Sequence, residues 1–121
     1  MAKKIMIVDD ERDIVEFCGR VLSKEGFEVL TATNGKDCLI FAEKEHPDLI
    51  LLDINMPEMD GGDIANILSL NQKTKDIPIV FLSGMVTKDE EQLIGGRLFI
   101  SKLSSKEEIL KRIKKALGLS T

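Results

Sequence analysis

Apolar residues fall in short unbroken runs separated by longer stretches of mixed polarity, and this alternation repeats five times along the chain. The runs predict strands at Lys4–Val8, Phe27–Thr31, Leu49–Leu52, Ile79–Leu82 and Leu98–Ile100. The first, third and fourth are almost wholly apolar, as central strands of a parallel sheet buried on both faces must be. Between the runs, Ile14, Cys18, Val21 and Leu22 recur at helical spacing and form the inward stripe of a first helix. Asn34 caps a second helix that ends near Glu45, because Pro47 disfavours helix in the residue before it. A third helix runs roughly from Gly62 to Leu70. Thr87 with Glu90 and Ser105 with Glu108 form two capping boxes. The first opens a short fourth helix of about two turns, ending at Ile94. The second opens a fifth with the stripe Ile109, Leu110, Ile113 and Leu117. Such alternation implies an α/β fold, a doubly wound (βα)5 unit with helices on both faces of a parallel sheet.

The residues just beyond each strand carry the chemistry. Asp9-Asp10 follows the first strand, Asp53 the third, Ser83-Gly84 the fourth and Ser101-Lys102 the fifth. The second strand ends instead in Thr31-Ala32-Thr33, as an edge strand outside a site would. That asymmetry supports the strand order 2-1-3-4-5, with a switch point between strands 1 and 3 where Asp9, Asp10 and Asp53 lie side by side.

Length, charge and cysteines narrow the classes. At 121 residues the chain has the size of one domain, read as residues 1–121 with no room for a second, output domain. The net charge of -4 and the lack of a basic cluster beyond the last helix leave no footprint for direct nucleic-acid binding. Lys111, Lys114 and Lys115 are expected on the exposed face of the last helix, near the negative end of its dipole. Cys18 and Cys38 have no metal-ligand spacing and read as small core residues. No apolar stretch reaches membrane-spanning length and no leader pattern opens the chain, so a soluble cytoplasmic protein is expected.

Carboxylates this close repel, by about 4 kcal/mol for a pair at 4 Å and an effective dielectric near 20. A cation is therefore required. Oxygen ligands with room for water suit Mg²⁺, held by carboxylates and phosphate oxygens. Asp10 is the better ligand, with Asp9 sharing through water; one of the two can also serve as N-cap of the first helix. Lys102 adds a point charge, Ser83 a donor hydroxyl and Gly84 a backbone open to close approach. These parts fit phosphoryl transfer to Asp53. No base is needed, and His46, at the far end of the third strand, is assigned to a solvated loop. Residues 56–62 form the loop before the third helix, of a length that suits a mobile segment, and Met59 and Met85 are gap-fillers. An Asp-nucleophile phosphohydrolase would need a substrate-covering cap. A flavin carrier would need a phosphate-cradling loop after the first strand and aromatics about the flavin, where Asp9-Asp10 repels phosphate.

Over its whole length the chain resembles the receiver domain of two-component response regulators, of flavodoxin-like fold. The resemblance rests on residues 7–11 (Ile-Val-Asp-Asp-Glu), residues 51–57 (Leu-Leu-Asp-Ile-Asn-Met-Pro), Met59-Asp60-Gly61, Ser83 and Lys102. It implies that Asp53 is phosphorylated from a phosphohistidine on a sensor histidine kinase or phosphotransfer protein. It also implies that Asp9 or Asp10, with Asp53 and the Asn55 backbone carbonyl, holds Mg²⁺, and that Ser83, Gly84 and Lys102 contact the phosphoryl group. Phe99 matches the family's aromatic switch, which responds to Ser83; plain core filling is the other reading of it. The implied protein is a phosphoacceptor rather than an enzyme, a monomer or weak dimer that signals to a downstream protein. Two departures stand out. The family's Lys-Pro is here Lys102-Leu103, so that bond is either trans or a costly cis, and the interval from Ser83 to Lys102 is short. A degenerate receiver that binds a partner without phosphorylation is the alternative these departures raise.

Overall fold

The computed structural model describes residues 2–84, 93–94 and 97–119. In chain order the elements are β1 (Lys4–Val8), α1 (Arg12–Lys24), β2 (Glu28–Ala32), α2 (Gly35–Glu45), β3 (Leu49–Asp53), α3 (Gly61–Leu70), β4 (Ile79–Ser83), β5 (Leu93–Ile94), β6 (Arg97–Ser101) and α4 (Lys106–Ala116). The sheet order is β2-β1-β3-β4-β6-β5. Its five long strands are parallel, in the order expected from the polar strand ends, with β6 as the fifth. The two-residue β5 pairs antiparallel with β6, Ile94 opposite Arg97.

Side-chain alternation along the strands divides the core in two. Met6, Val8, Ile50, Leu52, Phe81 and Phe99 face α2 and α3, meeting Cys38, Ala42, Ile64 and Leu68. Ile5, Ile7, Leu49, Leu51, Leu82 and Ile100 face α1 and α4, meeting Cys18, Leu22, Ile109 and Ile113. All of β3 is buried, and each such Leu or Ile contributes about 1.5–3 kcal/mol. Both cysteines are buried thiols; burial pushes Cys18 up to about 11 and Cys38 to about 12, so they behave as apolar residues.

Local signals set the helix ends. The Asn34 side chain accepts the Asp37 N–H at 2.8 Å, and the Ser105 hydroxyl accepts that of Glu108 at 3.2 Å. α3 begins one residue before the position expected, because Asp60 caps it by accepting the Asp63 N–H at 2.9 Å. Exposed His46 ends α2 in the left-handed region, φ 47°.

Two expectations are corrected. Leu93–Ile94, placed at the end of a short helix, is a strand; the rest of that helix, residues 87–92, lies outside the described residues, as does Met85. The sequence signal for strand there is the Gly95-Gly96 pair between two short β-forming segments, the composition of a tight hairpin. Lys114 is not on the open face of α4. It is half-buried and its ammonium donates to Glu25, tying α4 to the end of α1.

One glycine is dictated by close approach. A Cβ on Gly61 would lie 2.6 Å from the Asp53 carbonyl oxygen and 2.7 Å from the Ile54 Cα, both backbone atoms. Gly61→Ala is therefore expected to destabilise the fold by about 1–3 kcal/mol in urea titration. At Gly19, inside α1, a Cβ meets nothing within 4 Å. Gly19→Ala is expected to stabilise by about 0.5–1 kcal/mol, so the two substitutions move the urea midpoint in opposite directions.

Candidate functional site

The parallel ladder fixes the rim. Val8 pairs with Leu52 and Asp53 with Leu82, so Asp9 and Asp53 stand side by side at the ends of adjacent central strands. The Asp9 N–H reaches the Ala32 carbonyl at 3.2 Å and the Ile54 N–H the Leu82 carbonyl at 3.1 Å, which holds both strand ends in the sheet. On the other side Ser83 pairs with Ser101, and the Lys102 N–H donates to the Ser83 carbonyl at 2.9 Å. Asp9 and Asp53 continue the alternation of Ile5, Ile7, Leu49 and Leu51, so both carboxylates head the α1 and α4 face of the sheet.

Asp9 is fully buried and Asp53 is 1% exposed, whereas Asp10 is exposed. One carboxylate oxygen from each of the three falls within 4.8 Å of the others. Lys102 reaches into this cluster with its side chain 11% exposed. Its Nζ stands 2.7 Å from Glu11 Oε1, 3.0 Å from Asp9 Oδ2 and 3.4 Å from Asp53 Oδ1. The contact with Asp9 is an ion pair without hydrogen-bond geometry. Backbone donors bond one oxygen of each buried carboxylate: Glu11 N–H to Asp9 Oδ1 at 2.9 Å and Asn55 N–H to Asp53 Oδ1 at 3.1 Å. Among the described residues, neither Asp9 Oδ2 nor Asp53 Oδ2 accepts a hydrogen bond, although both are buried. Three carboxylates converging at this distance could hold a hard cation, and Mg²⁺ fits such oxygen donors.

The electrostatics follow from burial. Desolvation raises Asp53 to about 6; the Asn55 N–H and Lys102 oppose this, while the charge of Asp9 adds to it. For Lys102, burial alone favours the neutral amine. The hydrogen bond to Glu11 and the charges of Asp9 and Asp53 outweigh burial and hold the ammonium well above its usual range. The site thus joins a carboxyl whose ionisation burial opposes to a firmly charged lysine.

The other expected residues fall as follows. Ser83 is buried on the rim, Asn55 is exposed beside Asp53, and Gly84 is exposed with open space where a Cβ would stand, so sterics do not demand glycine there. Phe99 is buried against Phe81, ring centroids 5.0 Å apart. The Lys102–Leu103 bond is trans, since no described residue has a cis peptide. Neither Asp9 nor Asp10 caps α1; Glu11 is the N-cap residue, and its side chain caps nothing. Residues 56–62 are pinned by buried Met56 and by the Gly61 N–H to Ile54 carbonyl bond at 2.8 Å. Partly buried Met59 packs on the core, as a gap-filler does. Glu11 is the participant that sequence reasoning passed over; an acidic residue directly after Asp9-Asp10 was its only signal. Among the described residues, no helix is long and apolar enough to cross a membrane.

Comparison with known proteins agrees with this geometry. The family model of the response regulator receiver domain matches residues 5–114. Protein PilG of Pseudomonas aeruginosa is 34% identical over 114 residues, covering 92% of this chain and 84% of that protein. The polar-differentiation response regulator DivK of Brucella ovis is 31% identical, covering 98% of each chain. The crystal structure of a response regulator from Desulfuromonas acetoxidans superposes with a TM-score of 0.83 at 35% identity, covering 96% of this chain and 97% of that one. An acidic cluster at the switch point, a lysine inserted from the end of β6 and these relatives lead to one conclusion: the chain belongs to the response regulator receiver domain family of two-component systems.

Proposed function

We propose that Asp53 accepts a phosphoryl group from a phosphohistidine on a sensor histidine kinase or phosphotransfer protein, and that the phosphorylated chain changes its binding to a downstream protein. The observation that carries this reading is the state of the Asp53 carboxylate. Oδ1 is committed to the Asn55 N–H and Lys102, while Oδ2 is buried with no hydrogen bond among the described residues. An oxygen so placed is a nucleophile waiting for an electrophile and a cation. Its bond to phosphorus forms as the donor's nitrogen–phosphorus bond breaks, and the departing imidazole keeps the electron pair.

Asp9, Asp10 and Asp53, with the Asn55 carbonyl, would hold Mg²⁺, which supplies charge neutralisation for the transferring group. Lys102 neutralises the phosphoryl oxygens from the opposite side. Ser83, buried at the end of β4, and the Gly84 backbone lie where the group would be received. Phe99, one strand over and packed on Phe81, would answer a movement of Ser83. The chain then works as a cytoplasmic phosphoacceptor switch and not as a turnover enzyme. Lys102 reaches the cluster through a trans bond to Leu103, which supports the phosphoacceptor reading over a phosphorylation-independent one.

Intact mass after incubation with acetyl phosphate tests the proposal. A phosphate-sized gain that needs Mg²⁺ and disappears in Asp53→Asn is expected; a gain that persists in Asp53→Asn contradicts the assignment. A second prediction concerns the metal-free protein. Asp53 is raised from its ordinary 3.8 to about 6 in the fold, so its stabilising contribution is complete below the unfolded value and is lost as pH rises through 6. Asp53→Asn is therefore expected to melt a few degrees above wild type at pH 7.5 in chelator, with the gap closing below pH 5. A variant less stable than wild type at pH 7.5 would show that ionised Asp53 is not a burden on the fold.

A further inference from the structure

Lys102 has three carboxylate neighbours, and the shortest contact is with the residue sequence reasoning passed over. The Glu11 carboxylate lies 2.7 Å from Nζ, against 3.0 Å for Asp9 and 3.4 Å for Asp53. Glu11 stands at the N-cap of α1, yet its side chain makes no cap bond and crosses to a residue 91 positions away. The ammonium donates a hydrogen bond to Glu11 and is ion-paired with Asp9 and Asp53, so carboxylates surround it. A phosphoryl group arriving on Asp53 can gain Lys102 only if one partner lets go.

The partner that releases is set by burial. Asp9 and Asp53 are almost without solvent, so losing the ammonium leaves either of them buried without a counter-charge. The Glu11 side chain is 60% exposed, and water takes over its solvation at small cost. We propose that Glu11 is a positioning residue that holds Lys102 at the mouth of the site and competes with the phosphoryl group for it. Glu11 thereby slows phosphorylation and shortens the life of the adduct. This rests on the phosphoacceptor reading above.

The test is a double-mutant cycle with acetyl phosphate and Mg²⁺, read by intact mass over time. Glu11→Gln, nearly isosteric and uncharged, is expected to label about two- to fivefold faster than wild type, the range of an ion pair with one exposed partner. In a Lys102→Ala background the same substitution should change nothing. Equal acceleration in both backgrounds would reduce Glu11 to a general repulsion of the anionic donor and overturn the proposal. Slower or unchanged labelling by Glu11→Gln with Lys102 present would overturn it too. A second readout needs no phosphate: acetylation of Lys102 by acetic anhydride, quantified by peptide mass. Release from Glu11 should raise that rate at least twofold, and an unchanged rate means the ion pair does not hold Lys102. If wild type forms no adduct while Lys102 reactivity responds to Glu11→Gln, the phosphoacceptor reading falls and the competition with it, and the ion pair alone stands.

Discussion

One ammonium group holds the rim of this molecule together. Parallel strands buried on both faces must end somewhere, and here β1 and β3 end in carboxylates that the ladder sets side by side with almost no access to water. Lys102 is the neutralising charge that the described residues bring to them, delivered from β6 by a backbone bond to Ser83 at the end of β4. Every other feature of the site depends on that arrangement. Burial raises Asp53 above the usual carboxylate range, and Lys102 is kept charged by its company.

The fold tolerates this because the cost is confined to one edge. Below the rim the sheet is apolar on both faces, with α2 and α3 covering one side and α1 and α4 the other. Gly61 brings the start of α3 against the backbone of Asp53 and Ile54, so Asp53 is braced by main chain rather than by side chains that could relax. Such bracing keeps two donorless carboxylate oxygens in place, an arrangement that favours an arriving cation over collapse of the site.

Much of this was legible in the chain because buried parallel strands leave an unmistakable record. The run from Leu49 to Leu52 has no polar face to offer, and the cap residues Asn34 and Ser105 mark helix starts with oxygens that do bond as expected. Asp9, Asp53, Ser83 and Lys102 could be gathered at one rim because strand order alone decides which strand ends meet. What escaped depended on choices between equally good local options. Leu93 and Ile94 suit a helix end or a strand, and pairing with β6 decides for strand. Lys114, expected on the open face of α4, could not be foreseen to meet Glu25, since that contact depends on how α1 and α4 lie together. Glu11 had no role of its own in the sequence beyond following Asp9-Asp10, and its reach to Lys102 is a matter of three-dimensional placement. The Lys102-Leu103 pair raised a doubt about the lysine's approach that a trans bond resolves, because the β6 register already aims Lys102 at the cluster.

The claim at the centre is that Asp53 is the aspartate that takes phosphate. Borohydride reduction of the protein after exposure to acetyl phosphate and Mg²⁺, followed by peptide mass, locates an acyl phosphate by converting the modified aspartate to homoserine. Homoserine at position 53, absent when Mg²⁺ is withheld, is the predicted result. Reduction at another aspartate, or recovery of intact Asp53 from protein that carries the phosphate-sized mass gain, would contradict the account.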